Sequence, residues 1–461
     1  MPVVSRCIQI LSGIVAVSRC PLIVVTFWVS QAGAIPAQET AETATPATVA
    51  GEAAPAEDEP APVQPQDSAI QQPGQDCMQK IIDQQALTRK IRDINNRLQG
   101  ITDAEALKLQ RGVSTSIQTG SSTAADLDNL TSVLKHRLFQ MTDPAFVADP
   151  AKVHGLVRDM DREILRAGSQ AGNAQAIRSY RQKYCDAVLG VAKQLFDNNL
   201  DARFFAINTI KLLYVEKTQA GRIENHPQSL AALNGLLKDP DQPDQVKVTV
   251  SAGILHILSN MAVIPQQQAE VSDAIAGELD RACTDPGYQL VLLDTLFEVS
   301  IARKPVGPPV TTVMQTFIRI IDDESRRIDV RCRAAFGIGQ GAYDERINFD
   351  PIAFKLSNLA LDASKYFNQS PGLPAWQQCG ADLFFALRHE DKNGLAKKIP
   401  MLPQGIMNRA PQSAAVSDSG KFILKIALPL VNNSAKIPQA DQIELNDWIQ
   451  ANKALADKAW E

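Results

Sequence analysis

The chain is poor in the residue patterns that acid–base and metal chemistry use. Its five histidines, His136, His154, His226, His256 and His389, stand singly. No two have the His-x-x-x-His spacing that sets a pair of imidazoles on one helical face, and none accompanies a Cys-x-x-Cys, so the usual zinc patterns are missing. There is no Gly-x-Ser-x-Gly elbow. Asp239, Asp241 and Asp244 lack the glycine and the distant glutamate of a calcium loop. Aromatic residues make up only 5% of the chain, and no sustained period-two apolar run signals a sheet. His389-Glu390-Asp391, the densest titratable cluster around a histidine, reads as a solvated helix end. Gly337, Gly339 and Gly341 alternate, yet they close a predicted helix instead of following a strand, so C-terminal capping explains them better than a phosphate loop. No residue is designated catalytic, cofactor-binding or metal-binding, and an enzyme is not expected.

Charge is also scarce where nucleic-acid binding would need it. The whole chain carries −5, but the first 34 residues hold two arginines and no acid, and residues 35–76 hold eight acids and no base. From Cys77 onward the net charge is +1, far from the basic footprint that phosphate backbones select.

Residues 1–34 read as an export signal. Arg6 and Arg19 supply positive charge, Leu22 to Val29 is apolar apart from Thr26, and Ala32-Gly33-Ala34 has the small-x-small form of a cleavage site. Cleavage after Ala34 is the first reading. The second is an uncleaved anchor that joins Ile8–Val17 to the later apolar run, although Arg19 would then sit near mid-bilayer at a cost of roughly 2.5–3.5 kcal/mol. Residues 35–76, with seven prolines and ten alanines, bury too little to offset the entropy of ordering and read as a disordered tether.

With Cys7 and Cys20 assigned to the signal, Cys77, Cys185, Cys283, Cys332 and Cys379 remain. An exported protein could pair Cys77 with Cys185. The other three lie in predicted helices, where the default is a small buried apolar residue. Five is odd, so at least one thiol stays free or pairs with another chain.

Apolar periodicity is helical throughout the remainder. Residues 77–186 carry stripes at Leu87, Ile91, Ile94 and Leu98, at Leu127, Leu130, Leu134 and Leu138, at Val153, Leu156, Met160 and Ile164, and at Ile177, Tyr180, Tyr184 and Val188. Thr102 to Glu105 has the form of a capping box. These stripes predict an N-terminal helical subdomain. Farther on, Arg203, Lys247, Gln289, Arg331 and Gln378 recur at intervals of 44, 42, 42 and 47 residues, each followed by apolar residues at helical spacing. Partner helices are predicted over 187–196, 228–237, 266–283, 308–321 and 351–367. Asp285-Pro286 and Asp350-Pro351 each place a capping oxygen before a proline at the first helical position. Residues 393–420 read as a long loop or two short turns. Helices over 421–431 and 441–460, the second opened by Asp441 and Glu444, read as a C-terminal cap within residues 393–461.

Asp329 to Gly339 resembles the second helix of a HEAT repeat, with Val330, Arg331, Ala334, Ala335, Ile338 and Gly339 in that family's slots and Asp329 directly abutting Val330. The resemblance implies an all-α fold, a HEAT-like α-solenoid of about five helical hairpins across 187–392. Within it, Ala334 and Ala335 would be helix-packing residues and Arg331 an exposed or laddered side chain. HEAT arrays serve as scaffolds and adaptors more often than as enzymes. The expectation is an exported, periplasmic or cell-envelope scaffold without cofactor or nucleic acid, binding a protein partner through its solenoid face. The alternatives are an enzyme or accessory subunit with a site in the groove, and a membrane-tethered envelope component.

Overall fold

The computed structural model describes residues 101–460 apart from 218–220, 282–284, 302–311, 342–345, 389–404 and 435. The expected signal and tether, the Leu87 to Leu98 stripe, Cys77, Cys283 and His389 to Asp391 lie outside the described residues. What is described is mostly helical.

The stripes read from the sequence become buried faces. Helix α1 (Asp103–Thr119) starts with the expected capping box, the Thr102 side chain accepting from the Glu105 amide while Glu105 accepts from the Thr102 amide, and it packs on α2 (Ala124–Phe139). Leu130, Leu134 and Leu138 of α2 are buried, with Leu127 at the margin. After the single turn α3 (Pro144–Val147), helix α4 (Pro150–Arg166) buries Val153, Leu156, Met160 and Ile164. Those four side chains contribute on the order of 6–12 kcal/mol against chain entropy.

From there the helices come in pairs. Helix α5 (Ala174–Ala192) is followed by α6 (Leu200–Ile210), α7 (Pro227–Lys238) by α8 (Asp244–Asn260), α9 (Pro265–Arg281) by α10 (Pro286–Phe297), α11 (Thr312–Asp322) by α12 (Ile328–Gln340), and α13 (Phe349–Gln369) by α14 (Pro374–Leu387). First helices pack on first helices of the adjoining pairs, and second helices pack on second helices, giving the row α6, α8, α10, α12, α14. Helix α16 (Ala414–Val431), preceded by the turn α15 (Ile406–Arg409), covers both α13 and α14, and α17 (Gln439–Ala451) packs on α16 and α13.

The recurring polar position ties one pair to the next. Arg203 donates to the Asn198 carbonyl (2.6 Å) and to Gln242 Oε1 (2.8 Å) in the following pair. Lys247 reaches Glu278 (2.9 Å), Gln289 accepts from Arg326 (3.1 Å), and Arg331 donates to the Ile321 carbonyl (2.8 Å) and to Asp362 (3.3 Å). All four register residues are buried. Arg331 is therefore a buried rung that also satisfies a carbonyl at the end of α11, a group that helix geometry leaves without an internal donor. Gln378 departs from the series: it is exposed and donates to Asp382 of its own helix.

Several local expectations are corrected. Helix α5 begins at Ala174, so the expected boundary at 186/187 falls inside it. Asn348, not Asp350, caps α13, and Asp350 lies within the first turn, where Ser413 donates to it. Gly337 and Gly339 do not cap α12. They are close-approach positions, a Cβ at Gly337 falling on the Phe317 ring and one at Gly339 falling 2.3 Å from the Ala386 Cα. Gly341 ends the helix in extended backbone. Helix α16 starts at Ala414, ahead of the expected Lys421, and α17 stops at Ala451. Beyond it the chain returns to α13, where the Asn348 amide donates to the Trp460 carbonyl (2.9 Å).

Two features had no counterpart in the sequence reading. A short antiparallel hairpin, β1 (Tyr214–Lys217) and β2 (Ile223–Asn225), stands between α6 and α7, with Arg178 of α5 paired to Glu216 and Glu224 across it. Cys332 and Cys379 are more than small buried residues, for they form a disulfide between α12 and α14 (Cα–Cα 5.2 Å). Cys185 is a buried free thiol, and Cys77, the partner that an exported chain could have offered it, lies outside the described residues. Its sulfur lies 3.5 Å from the Tyr214 carbonyl, and burial pushes the thiol up to about 12.

Candidate functional site

Among the described residues, positions on three second helices share a face of coordinated side chains, mostly half-buried, with Gln340 and Asp382 buried beneath it. On α10 these positions are Asp294, Phe297 and Glu298. On α12 they are Arg333, Phe336 and Gln340, and on α14 they are Gln378, Asp382 and Phe385. Spacings of three and four residues keep each set on one side of its helix. Arg333 is the hub. Its guanidinium donates to Asp294 (2.6 Å) and to Asp382 (3.0 Å), and its carbon lies 4.3 Å from the centre of the Phe336 ring. Phe336 in turn meets Phe297 at 5.2 Å and Phe385 edge-on at 6.2 Å, geometries that suit the quadrupoles of the rings. Gln340 donates to the Phe385 carbonyl (2.6 Å), closing the gap between α12 and α14.

Charge at this hub is desolvated. Asp382 is 1% exposed and one carboxylate oxygen has no partner. Burial pushes its carboxyl up to about 6, with Arg333 and Gln378 pulling the other way. Burial likewise raises Asp294 against the pull of Arg333, while Arg333 itself is raised because its two carboxylates outweigh the cost of burial. A guanidinium held by two carboxylates has no freedom to act as a general acid or an anion clamp. The arrangement rivets three helices together and leaves Phe297, Phe336 and Phe385 half-buried.

At the other end of the row stands a half-buried lysine. Lys211, directly after α6, donates to Asn208 Oδ1 (2.6 Å), and burial lowers its ammonium pKa. Its Cβ lies 3.7 Å from where a side chain at Gly253 of α8 would start. One turn on, His256 is half-buried, its pKa lowered by burial and then by Lys211. Farther along, Glu298 is raised by burial although Ser259 donates to it.

Other polar clusters are structural. His226 lies 2.8 Å from Ser229 Oγ through Nδ1 and 3.0 Å from Asp186 through Nε2, the three residue types of a hydrolytic triad. Ser229 and His226 are both fully buried, so no substrate reaches the hydroxyl, and the ring joins the start of α7 to α5. Burial lowers the His226 pKa, against the pull of the Asp186 carboxylate that accepts from its ring. His136 pairs with Asp103 (2.7 Å), and His154 is exposed. Asp322 and Asp323 lie beside Arg326 and Arg327 in the sequence. Asp323 does pair with Arg326 (2.8 Å), whereas Asp322 pairs with Lys355 of α13. The cavity between the α11–α12 turn and the start of α14, lined by Arg327, Tyr366 and Trp376 among others, offers about 40 Å³ to the centres of water molecules, room for a few of them. Among the described residues no group of three or more His, Cys, Asp or Glu could hold a metal ion, and no helix is long and apolar enough to cross a membrane.

The sequence reading named no site residues, and the hub escaped it because its members sit 39 and 49 positions from Arg333. The available signal was the register: Arg333 follows Arg331 by two residues, and Asp382 follows Gln378 by four. Compared with known proteins, the chain matches no family, no curated sequence and no solved structure.

Proposed function

We propose that the protein is an exported, non-enzymatic scaffold whose helical pairs stack as a HEAT-like α-solenoid and bind a polypeptide partner along the row of second helices. The observation that carries this reading is the face on α10, α12 and α14: three half-buried phenylalanines linked through Phe336, which lies against an immobilised arginine, over three successive pairs. Solenoids bind this way because each repeat contributes a few side chains to one long surface, and rigid aromatic anchors are the side chains that carry most binding energy. The neighbour-only packing and the buried polar rung repeated between pairs support the repeat architecture. The Cys332–Cys379 bond supports export, because disulfides persist in oxidising compartments.

The test is a photo-crosslinking aromatic residue placed at Phe336 in cells, with the exposed Gln110 of α1 as control position. A discrete adduct to one protein from position 336 and none from 110 is the expected result. Equal labelling from both, or none from 336, would remove the face from consideration.

A further inference from the structure

We infer that Lys211 and His256 form an oxyanion subsite at the α6–α8 end of this face and take a carboxylate side chain of the bound polypeptide; the identity of the occupant rests on the interaction reading above. Three observations lead there. First, Lys211 is half-buried with its stem against the bare backbone of Gly253, yet its ammonium ends on the neutral amide of Asn208 (2.6 Å). The buried Lys247 and the half-buried Lys355 each end on a carboxylate, Glu278 and Asp322. An ammonium has three donors, so at least two are left for a ligand. Second, His256 lies one helical turn beyond Gly253 on the same side of α8, close enough for the ammonium to oppose its protonation. Asn260 Nδ2 lies 3.4 Å from His256 Nδ1, and in the tautomer in which that nitrogen accepts, Nε2 carries the donating N–H. Third, the neighbouring carboxylate on α10, Glu298, is engaged by Ser259.

Among the described residues the two donor groups have no carboxylate partner, and one arriving carboxylate would bind both, replace lost hydration with charge-assisted hydrogen bonds and favour protonation of the ring that Lys211 now opposes. The opposite end of the row holds its charges in closed pairs around Arg333. An acidic residue at one end of a partner segment and apolar residues at the other would therefore fix its direction along the helices.

The probe is hexaglutamate, added to the full chain at constant ionic strength while the histidine ring C–H signals are followed by NMR, with the His256 signal assigned from a His256→Gln sample. Saturable movement of that signal is expected, together with a rise in its titration midpoint of roughly half a pH unit or more. Lys211→Met should weaken the effect about tenfold, and Lys211→Arg should largely restore it. No saturable movement, movement unchanged in Lys211→Met, or equal movement with inorganic phosphate at the same concentration would each overturn the assignment, the last by showing a free-anion site. The crosslink at position 336 separates the two readings. If the adduct forms as well in Lys211→Met, the subsite fails and the face stands; if hexaglutamate binds as expected and no adduct ever forms, the face fails and the subsite stands.

Discussion

Lys247 of α8 reaches Glu278 of α9 across 2.9 Å, and the two side chains are 5% and 3% exposed. Arg281 also lies 2.9 Å from the second Glu278 oxygen. A buried pair of this kind adds little net stability as a pair, yet removing one member leaves a charge stranded in low dielectric. Glu278→Leu would strand the buried Lys247 and should destabilise the fold by about 3–5 kcal/mol in denaturant titrations, and the double replacement Lys247→Met with Glu278→Leu should recover much of the loss. Additive losses in the double variant would refute the account.

Glycine is used for two opposite purposes, and substitution should separate them. At Gly339 a new methyl would collide with the Ala386 backbone, so Gly339→Ala should lower the melting temperature through overpacking of roughly 1–3 kcal/mol or more. At Gly190, in the exposed part of α5, a methyl meets nothing within 4 Å. Gly190→Ala should raise stability by about 0.5–1 kcal/mol. Thermal melts of the two variants check both signs.

Ala335 is fully buried in α12. Ala335→Asp should cost several kcal/mol, on the order of 3 or more, by placing an unpaired carboxylate between helices. An unchanged melting temperature would mean that the register of α12 is misassigned.

Asp382 supplies a pH dependence of known sign. Its carboxyl is raised to about 6 in the folded chain by burial, against about 3.9 for an unfolded aspartate. The folded state therefore holds the proton more tightly, so this group's contribution to stability is greatest below about pH 4 and is lost as pH rises towards 6. Asp382→Asn should flatten that part of the stability profile, by on the order of 2–3 kcal/mol across the window. Parallel profiles for the two proteins between pH 4 and 6 would contradict it.

Much of the helical order was legible because periodicity and capping are local. The Thr102 box, the proline after Asp285 and the stripes of α2 and α4 need no information from elsewhere in the chain. The recurring register was legible as well: spacing alone put Lys247 and Gln289 in line with Arg331, and all three prove to be buried links between adjacent pairs. The disulfide also had a readable trace, since Cys332 and Cys379 each directly follow a register residue and so occupy equivalent places in neighbouring second helices. What was not legible depends on three-way contact. The β1–β2 hairpin is too short to show alternation and leans on Arg178 from 38 and 46 residues away. The hub at Arg333 joins three helices, and no one-dimensional period announces which carboxylates will meet.

The bond between Cys332 and Cys379 has a mechanical corollary. A chain pulled from its two ends would surrender its pairs by peeling, each released once the hold of its neighbour is gone. The loop closed by the sulfurs, 47 positions long, could not be drawn out with the rest, and roughly 160 Å of extension would stay hidden until a reductant arrived. In a single-molecule stretching trace the last two pairs would thus shorten the total length gained, and adding dithiothreitol would return the missing distance.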